Sequence, residues 1–270
     1  MSAGPAEPLE DAVATGDLDL LRQLLATQGT SPLDDETANQ LLAKAAWKRQ
    51  ETIFAFLLSE HPPRSELQEE VVRAASYSGS IPILSALLAR DPAIARLQFD
   101  RRGTPLIVAC TSRQPLEFLE FLLATGGADP NQDPEVTAYP LAVVAAFYRD
   151  TRAADLLLRY GARIEGSGAL QSAASMGNEV MVRYFLERGA DREAIEGGIS
   201  ASSMALHGAA RRGHAGAIKV LLEHGVDPNA KTRDGKSALE LIEEVKNKKR
   251  EPLGEGFSEA KELLTKHRVG

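Results

Sequence analysis

Along this chain a pair of mostly small residues is followed, at a nearly fixed interval, by a pair of bulky apolar ones. Ala12-Val13 stands twelve residues before Leu24-Leu25, Ala45-Ala46 twelve before Leu57-Leu58, and Ala75-Ser76 twelve before Leu87-Leu88. Ala109-Cys110 precedes Leu122-Leu123 by thirteen. The interval returns to twelve for Ala145-Ala146 and Leu157-Leu158, Ala173-Ala174 and Phe185-Leu186, and Ala209-Ala210 and Leu221-Leu222. Ile242-Glu243 opens a degraded last copy, with its second helix expected over 258–267. Successive bulky pairs lie 33, 30, 35, 35, 28, 36 and 42 residues apart. A constant interval inside the unit, with variable intervals between units, fits a helix pair joined to the next by loops of changing length. Self-similarity at roughly 20–50 residues marks a stack of repeats, each burying its apolar face only against its neighbours.

The stretch "LHGAARRGHAGAIKVLLEHG", residues 206–225, shows how the unit works. Leu206, Ala209 and Ala210 share one helical face, and the small alanines let the next helix approach closely. Gly213 suits the left-handed position that ends this helix, and Gly225 suits the end of the second. Ile218, Leu221 and Leu222 form the second apolar stripe, and "DPN" (227–229) turns the chain towards the next unit. At 104–108, "TPLIV" offers a threonine cap followed by proline at the first helical position; "EPLED" (7–11) and "YPLAV" (139–143) are weaker versions.

Taken together, "TPLIVAC", "LHGAARRGH", "GGADPN", "RGADRE" and "HGVDPN" resemble the ankyrin repeat: a Thr-Pro-Leu-His helix start, an alanine pair, Gly-His, a leucine pair and Gly-Ala-Asp. The resemblance implies an all-α solenoid of about eight helix-turn-helix units with short hairpin loops. It spans the chain as one domain, residues 1–270. The units fall at about 7–33, 38–62, 67–98, 99–133, 137–165, 166–197, 200–231 and 232–270, the first and last acting as caps. Units one to three lack most of the signature. Arg49, Arg113 and Arg149 stand where the turn glycine belongs, so those turns are expected to be distorted or longer. The short spacing between units five and six predicts a truncated hairpin near 161–170.

The resemblance also bears on the histidines. His207 falls on the histidine of the Thr-Pro-Leu-His element, which implies a structural imidazole bridging backbone groups of adjacent loops. His214 follows the turn glycine as the pattern requires. Two histidines seven apart with only alanines between them make no metal site by themselves, and no metal is expected. Cys110, the single cysteine, occupies the small-residue slot and reads as a small hydrophobe. One cysteine also excludes an intrachain disulfide framework. No phosphate loop, HExxH or GxSxG motif is present, and no cofactor is expected.

The net charge of −7 lies entirely in residues 1–40, which hold eight acidic side chains against one arginine. That argues against direct binding of nucleic acid, which needs a concentrated positive field. The opening residues lack the basic and apolar regions of a signal peptide, and no apolar run is long enough to span a membrane. An intracellular monomer is expected, cytoplasmic or also nuclear. "KNKKR" (246–250) reads as a solvated loop, with a nuclear localisation signal as the alternative.

By the resemblance, the two positions after each small pair face the concave side and, with the hairpin tips, contact partners. They read Ala14-Thr15, Trp47-Lys48, Tyr77-Ser78, Thr111-Ser112, Phe147-Tyr148, Ser175-Met176 and Arg211-Arg212. Aromatics and arginine are the residue types enriched at binding hot spots. The candidate partner-binding residues are Trp47, Lys48, Tyr77, Arg101, Arg102, Arg113, Phe147, Tyr148, Arg149, Met176, Arg211 and Arg212, with Arg101 and Arg102 on a hairpin tip. The same side chains could instead lie flat on neighbouring helices and fill gaps. A non-catalytic scaffold or adaptor that holds a protein or peptide is the leading function. One alternative is an enzyme or small-molecule binder using the aromatic groove, with Asp150, Arg149, Cys110 or His214 as its chemistry. The other is a regulatory partner of a transcription factor, which would account for the basic run but not for the acidic first unit.

Overall fold

The sequence "TPLIV" behaves as its chemistry dictates. The Thr104 hydroxyl accepts a hydrogen bond from the Ile107 N–H at 3.4 Å and Pro105 takes the first helical position, so α7 (Pro105–Thr111) begins there. Ser200 starts α13 (Ala201–Arg212) in the same way, accepting from the Ser203 N–H at 3.1 Å. The computed structural model describes residues 7–27, 33–132, 135, 137–190, 194–195, 199–248 and 254–268. Sixteen α-helices in consecutive pairs account for most of them.

The contacts divide the chain into two units, with the crossing between Asp129 and Ala138. The first holds α1 (Glu7–Thr15) and α2 (Leu18–Thr27), α3 (Asp35–Trp47) and α4 (Glu51–Glu60), α5 (Glu69–Ser78) and α6 (Ile81–Arg90), and α7 with α8 (Leu116–Ala124). The second holds α9 (Pro140–Phe147) and α10 (Arg152–Arg159), α11 (Ala169–Ser175) and α12 (Glu179–Glu187), α13 with α14 (Ala215–Glu223), and α15 (Ala238–Lys248) with α16 (Glu255–Arg268). The first helices of the pairs stack in order, α1, α3, α5 and α7 in one unit and α9, α11, α13 and α15 in the other. The small pairs sit in these contacts: Ala45, Ala46, Ala75, Ala109, Cys110, Ala173, Ala174, Ala209 and Ala210 are fully buried. Each unit is thus an all-α solenoid. The only extended elements among the described residues are a single bridge between Phe99 and Gly103 in the first unit and, in the second, β1 (Ala194–Ile195) paired antiparallel with β2 (Ile199–Ser200). A 3₁₀ turn at Pro92–Arg96, not anticipated from the sequence, precedes that bridge.

The turns inside the pairs correct one expectation. Gly16, Gly177 and Gly213 adopt φ of 81, 67 and 72°, and Arg49 and Arg113 adopt 53 and 55° in the same place. All five share one bonding pattern. The turn residue donates its N–H to the second residue of the small pair, and the next residue donates to the first. For Arg49 and Gln50 the acceptors are Ala46 and Ala45, at 3.0 and 2.8 Å. For Arg113 and Gln114 they are Cys110 and Ala109, at 3.1 and 3.0 Å. These turns are neither distorted nor longer. Two satisfied carbonyls outweigh a left-handed cost of about 1 kcal/mol.

Arg149 differs. It has no left-handed φ, and the chain leaves α9 through Tyr148 in an extended conformation (φ −86°, ψ 144°). The Asn178 side-chain amide does the work instead, donating to the Ala145 carbonyl at 2.9 Å and the Tyr148 carbonyl at 2.6 Å. Asn178→Ala should therefore cost about 2 kcal/mol, because it leaves a buried carbonyl unpaired. Urea unfolding measures this, and a loss within about 0.5 kcal/mol would mean that solvent replaces the amide.

The truncated hairpin is found where the spacing placed it. No strand bridge forms over 161–168, and Asn131 ties the loop instead, donating to the Gly161 carbonyl (2.8 Å) and accepting from the Arg163 N–H (2.9 Å). The basic run corrects another expectation. Lys246–Lys248 continue α15 rather than forming a loop, with Lys248 paired to Glu244 at 2.6 Å, and residues 249–250 lie outside the described residues.

Candidate binding surface

In the first unit, α3 ends on Trp47 and α5 nearly so on Tyr77, and the two side chains meet. Their ring centroids lie 4.7 Å apart with planes inclined by 53°. Trp47 is 37% exposed and Tyr77 51%, so the pair is a surface feature with one shared edge rather than core. The indole N–H donates to Glu70 at 2.9 Å. Arg73 pairs with the other oxygen of Glu70 and places its guanidinium 5.8 Å from the indole centroid. Glu70, Arg73 and Tyr77 follow one another at i, i+3 and i+7 on α5, so one helix face holds the indole from below. That stripe was readable in the sequence and the candidate set omitted Glu70 and Arg73.

Around this pair, Lys48, Arg49, Thr111 and Arg113 are exposed, whereas Ser78 is buried with its hydroxyl on the Ala75 carbonyl at 3.0 Å. The hairpin tip projects Arg101 and Arg102 into solvent, Arg101 at φ 55°. The Phe99 N–H closes this tip on the Gly103 carbonyl at 2.8 Å.

In the second unit, Phe147 and Tyr148 are half-buried and Arg149 is exposed. Met176 is 41% exposed and lies 3.2 Å, through its sulfur, from the Arg212 guanidinium, which also donates to the Ser175 carbonyl at 3.1 Å. Arg211 is exposed. The structure thus brings together Trp47 with Tyr77, and Met176 with Arg212.

Two family models match the chain. One described as "Ankyrin repeat" covers residues 103–133, and one described as "Ankyrin repeats (3 copies)" covers 141–232. The chain contains ankyrin repeats. The matched segments run from the hairpin before α7 to the loop after α14, where the Gly-Ala-Asp elements are most complete. A search of curated proteins gave no match. Ankyrin repeats are generally protein–protein interaction modules, and proteins built from them are typically non-catalytic scaffolds.

Within the ankyrin repeats, Cys110, Asp150 and His214 are each buried or engaged by neighbouring residues. Cys110 is fully buried, and burial pushes its thiol up to about 12, far from the thiolate a nucleophile needs. Asp150 accepts from Arg152 at 2.8 Å, and that contact holds its carboxyl below the usual range. His214 packs its ring over Gly177, where even a Cβ would lie 2.7 Å from Nδ1. Among the described residues no three His, Cys, Asp or Glu side chains gather as a metal site would require, and no helix is long and apolar enough to cross a membrane.

His207 is buried, and its Nε2 meets the Ala230 carbonyl at 2.9 Å across the following loop. A carbonyl only accepts, so Nε2 carries the proton. Burial lowers the pKa of His207, outweighing the bond to Ala230, which acts the other way. The folded state therefore binds this proton less readily than the unfolded chain, whose histidine titrates near about 6.5. The stability contribution is complete above that pH, falls as the pH drops towards the depressed folded value, and is level below it. His207→Ala should cost about 1–2 kcal/mol at neutral pH. The gap between wild type and variant should shrink between pH 7.5 and 5. A gap that widens on acidification would contradict the neutral buried imidazole.

Proposed function

We propose that this protein is a non-catalytic interaction module that binds a protein or peptide segment on the side chains following the small pairs, with the hairpin tip as a second contact. In the first unit those residues are Trp47, Lys48, Tyr77 and Arg113, with Arg101 and Arg102 at the tip. In the second they are Phe147, Tyr148, Arg149, Met176, Arg211 and Arg212. The observation that carries the reading is the Trp47–Tyr77 pair, two large rings left in solvent while Glu70 and Arg73 hold one of them still. An exposed aromatic gains little from folding, yet a pre-positioned one loses little entropy on binding. The burial of Cys110 and the engagement of Asp150 weigh against an enzyme.

Affinity capture with the full chain tests the proposal. Partners retained by wild type should be lost from a Trp47→Ala/Tyr77→Ala/Phe147→Ala variant that keeps a native circular dichroism spectrum. An identical set of partners on both would refute it.

A further inference from the structure

We infer that Asn178 is a positioning residue of the second unit's binding surface: its buried side-chain amide holds the turn between α9 and α10 open and so sets where Tyr148 and Arg149 stand. This rests on the partner-binding role proposed for that row and names the residue that shapes it from behind.

Three turns carry arginine at the same place, four residues after the first member of the small pair: Arg49, Arg113 and Arg149. The spacing is equal, yet only two of these turns close. At Arg49 and Arg113 the φ is left-handed, and the N–H of the next residue, Gln50 or Gln114, binds the first carbonyl of the small pair, that of Ala45 or Ala109. A closed turn at Arg149 would give Asp150 the same task towards Ala145. That carbonyl is already taken. The Asn178 amide donates to it at 2.9 Å and to the Tyr148 carbonyl at 2.6 Å. A left-handed Arg149 would then carry strain without the bond that offsets it elsewhere. Tyr148 is extended instead, with ψ 144°, where Lys48 and Ser112 in the same place have ψ of 0 and 3°. The chain leaves α9 in a different direction, and the N–H groups of Arg149 and Asp150 have no hydrogen bond among the described residues.

Asparagine meets two demands at this place. Its side-chain oxygen caps α12 by accepting from the Met181 N–H at 3.5 Å, while its amide nitrogen reaches back to the preceding turn. Ser80 holds the equivalent place before α6. It caps that helix too, but its hydroxyl donates to Glu51 at 2.7 Å, and the turn behind it, at Arg49, is closed. The comparison ties the open turn to the amide rather than to the length of the chain. Asn178 is 7% exposed, too little for a partner to grip, so it acts through the turn. The side chains it sets are those of Tyr148, half-buried, and Arg149, exposed, which follow the small pair directly in the proposed row.

Asn178→Ser and Asn178→Asp test this, because both keep a helix-capping oxygen and remove the two donors. Amide hydrogen exchange, followed by NMR on the full chain, should become slower at Arg149 and Asp150 by about ten-fold or more, as their N–H groups take up the Ala146 and Ala145 carbonyls. A role confined to stability would instead speed exchange throughout. The Tyr148 carbonyl still loses its donor, so both variants should remain less stable than wild type. Binding is read with a synthetic peptide enriched on the wild-type chain from a displayed library of random short peptides, chosen because Arg149→Ala weakens it. That peptide should bind both variants about ten-fold more weakly, at a temperature where circular dichroism shows them folded. An enriched peptide that depends on Trp47 and Tyr77 alone should bind them as tightly as it binds wild type. Arg149 and Asp150 amides that exchange as fast as in wild type, or faster, would overturn the open turn. Slowed exchange with unchanged affinity, or no enriched peptide that needs Tyr148 or Arg149, would overturn the positioning role and leave the rest of the surface standing. Enriched peptides indifferent to every residue of the row would overturn the surface itself.

Discussion

Leu221→Ala should cost about 2–5 kcal/mol of stability, and Leu157→Ala a similar amount. Both leucines are the first member of a bulky pair, and both are fully buried. Their backbone is engaged too: the Leu221 carbonyl accepts from the Val226 N–H at 3.2 Å, and the Leu157 carbonyl from Ala162 at 2.9 Å. These bonds close the left-handed turns at Gly225 and Gly161 and fix where the side chains sit, so the surroundings cannot collapse into the space left behind. Lost transfer energy and a residual cavity therefore add. The comparison is Val180→Ala on α12, where the side chain is 52% exposed and the change should stay within about 0.5 kcal/mol. Urea unfolding followed by circular dichroism separates the cases. A Leu221→Ala midpoint close to that of Val180→Ala would mean that the bulky pair does not hold the stack.

Trp47→Ala should divide stability from binding. A buried aromatic truncated to alanine costs about 3–5 kcal/mol. Trp47 keeps more than a third of its surface in water, and its partner Glu70 retains Arg73, so the cost should be nearer 1–2 kcal/mol. Binding of an enriched peptide or captured partner should instead lose about 2 kcal/mol or more, as for an aromatic hot spot. Isothermal titration alongside thermal unfolding reads both quantities on the same sample. Unchanged affinity with a fully destabilised fold would assign the ring to packing.

The helices were legible in the sequence because their causes are local. A small pair and a bulky pair at a constant interval can satisfy one helix-turn-helix geometry, and Thr104-Pro105 or Gly213 mark its ends by their own chemistry. From the sequence the turns at Arg49 and Arg113 are expected to be distorted or longer, yet they keep the glycine turn's geometry with a left-handed φ. Their intactness depends on two carbonyls of the small pair that periodicity does not describe. Asn178 was not legible at all. Its amide serves backbone groups 30 and 33 residues earlier, and no local pattern announces a bond of that reach. The candidate surface was legible as a register, since each residue after a small pair reaches the end of its helix. Which of them touch was not. Trp47 finds Tyr77 and Arg212 finds Met176 only because successive first helices stack, whereas Ser78 turns inwards to cap its own helix.

The central claim is that the row after the small pairs is kept for a partner, and Trp47, the single tryptophan, reports on it directly. Its fluorescence in the free protein should be red-shifted and readily quenched by acrylamide, and should become blue-shifted and protected when a bound peptide covers the indole. An emission already blue-shifted and unquenchable in the free protein, unchanged by any ligand, would make the row part of the core and contradict the account.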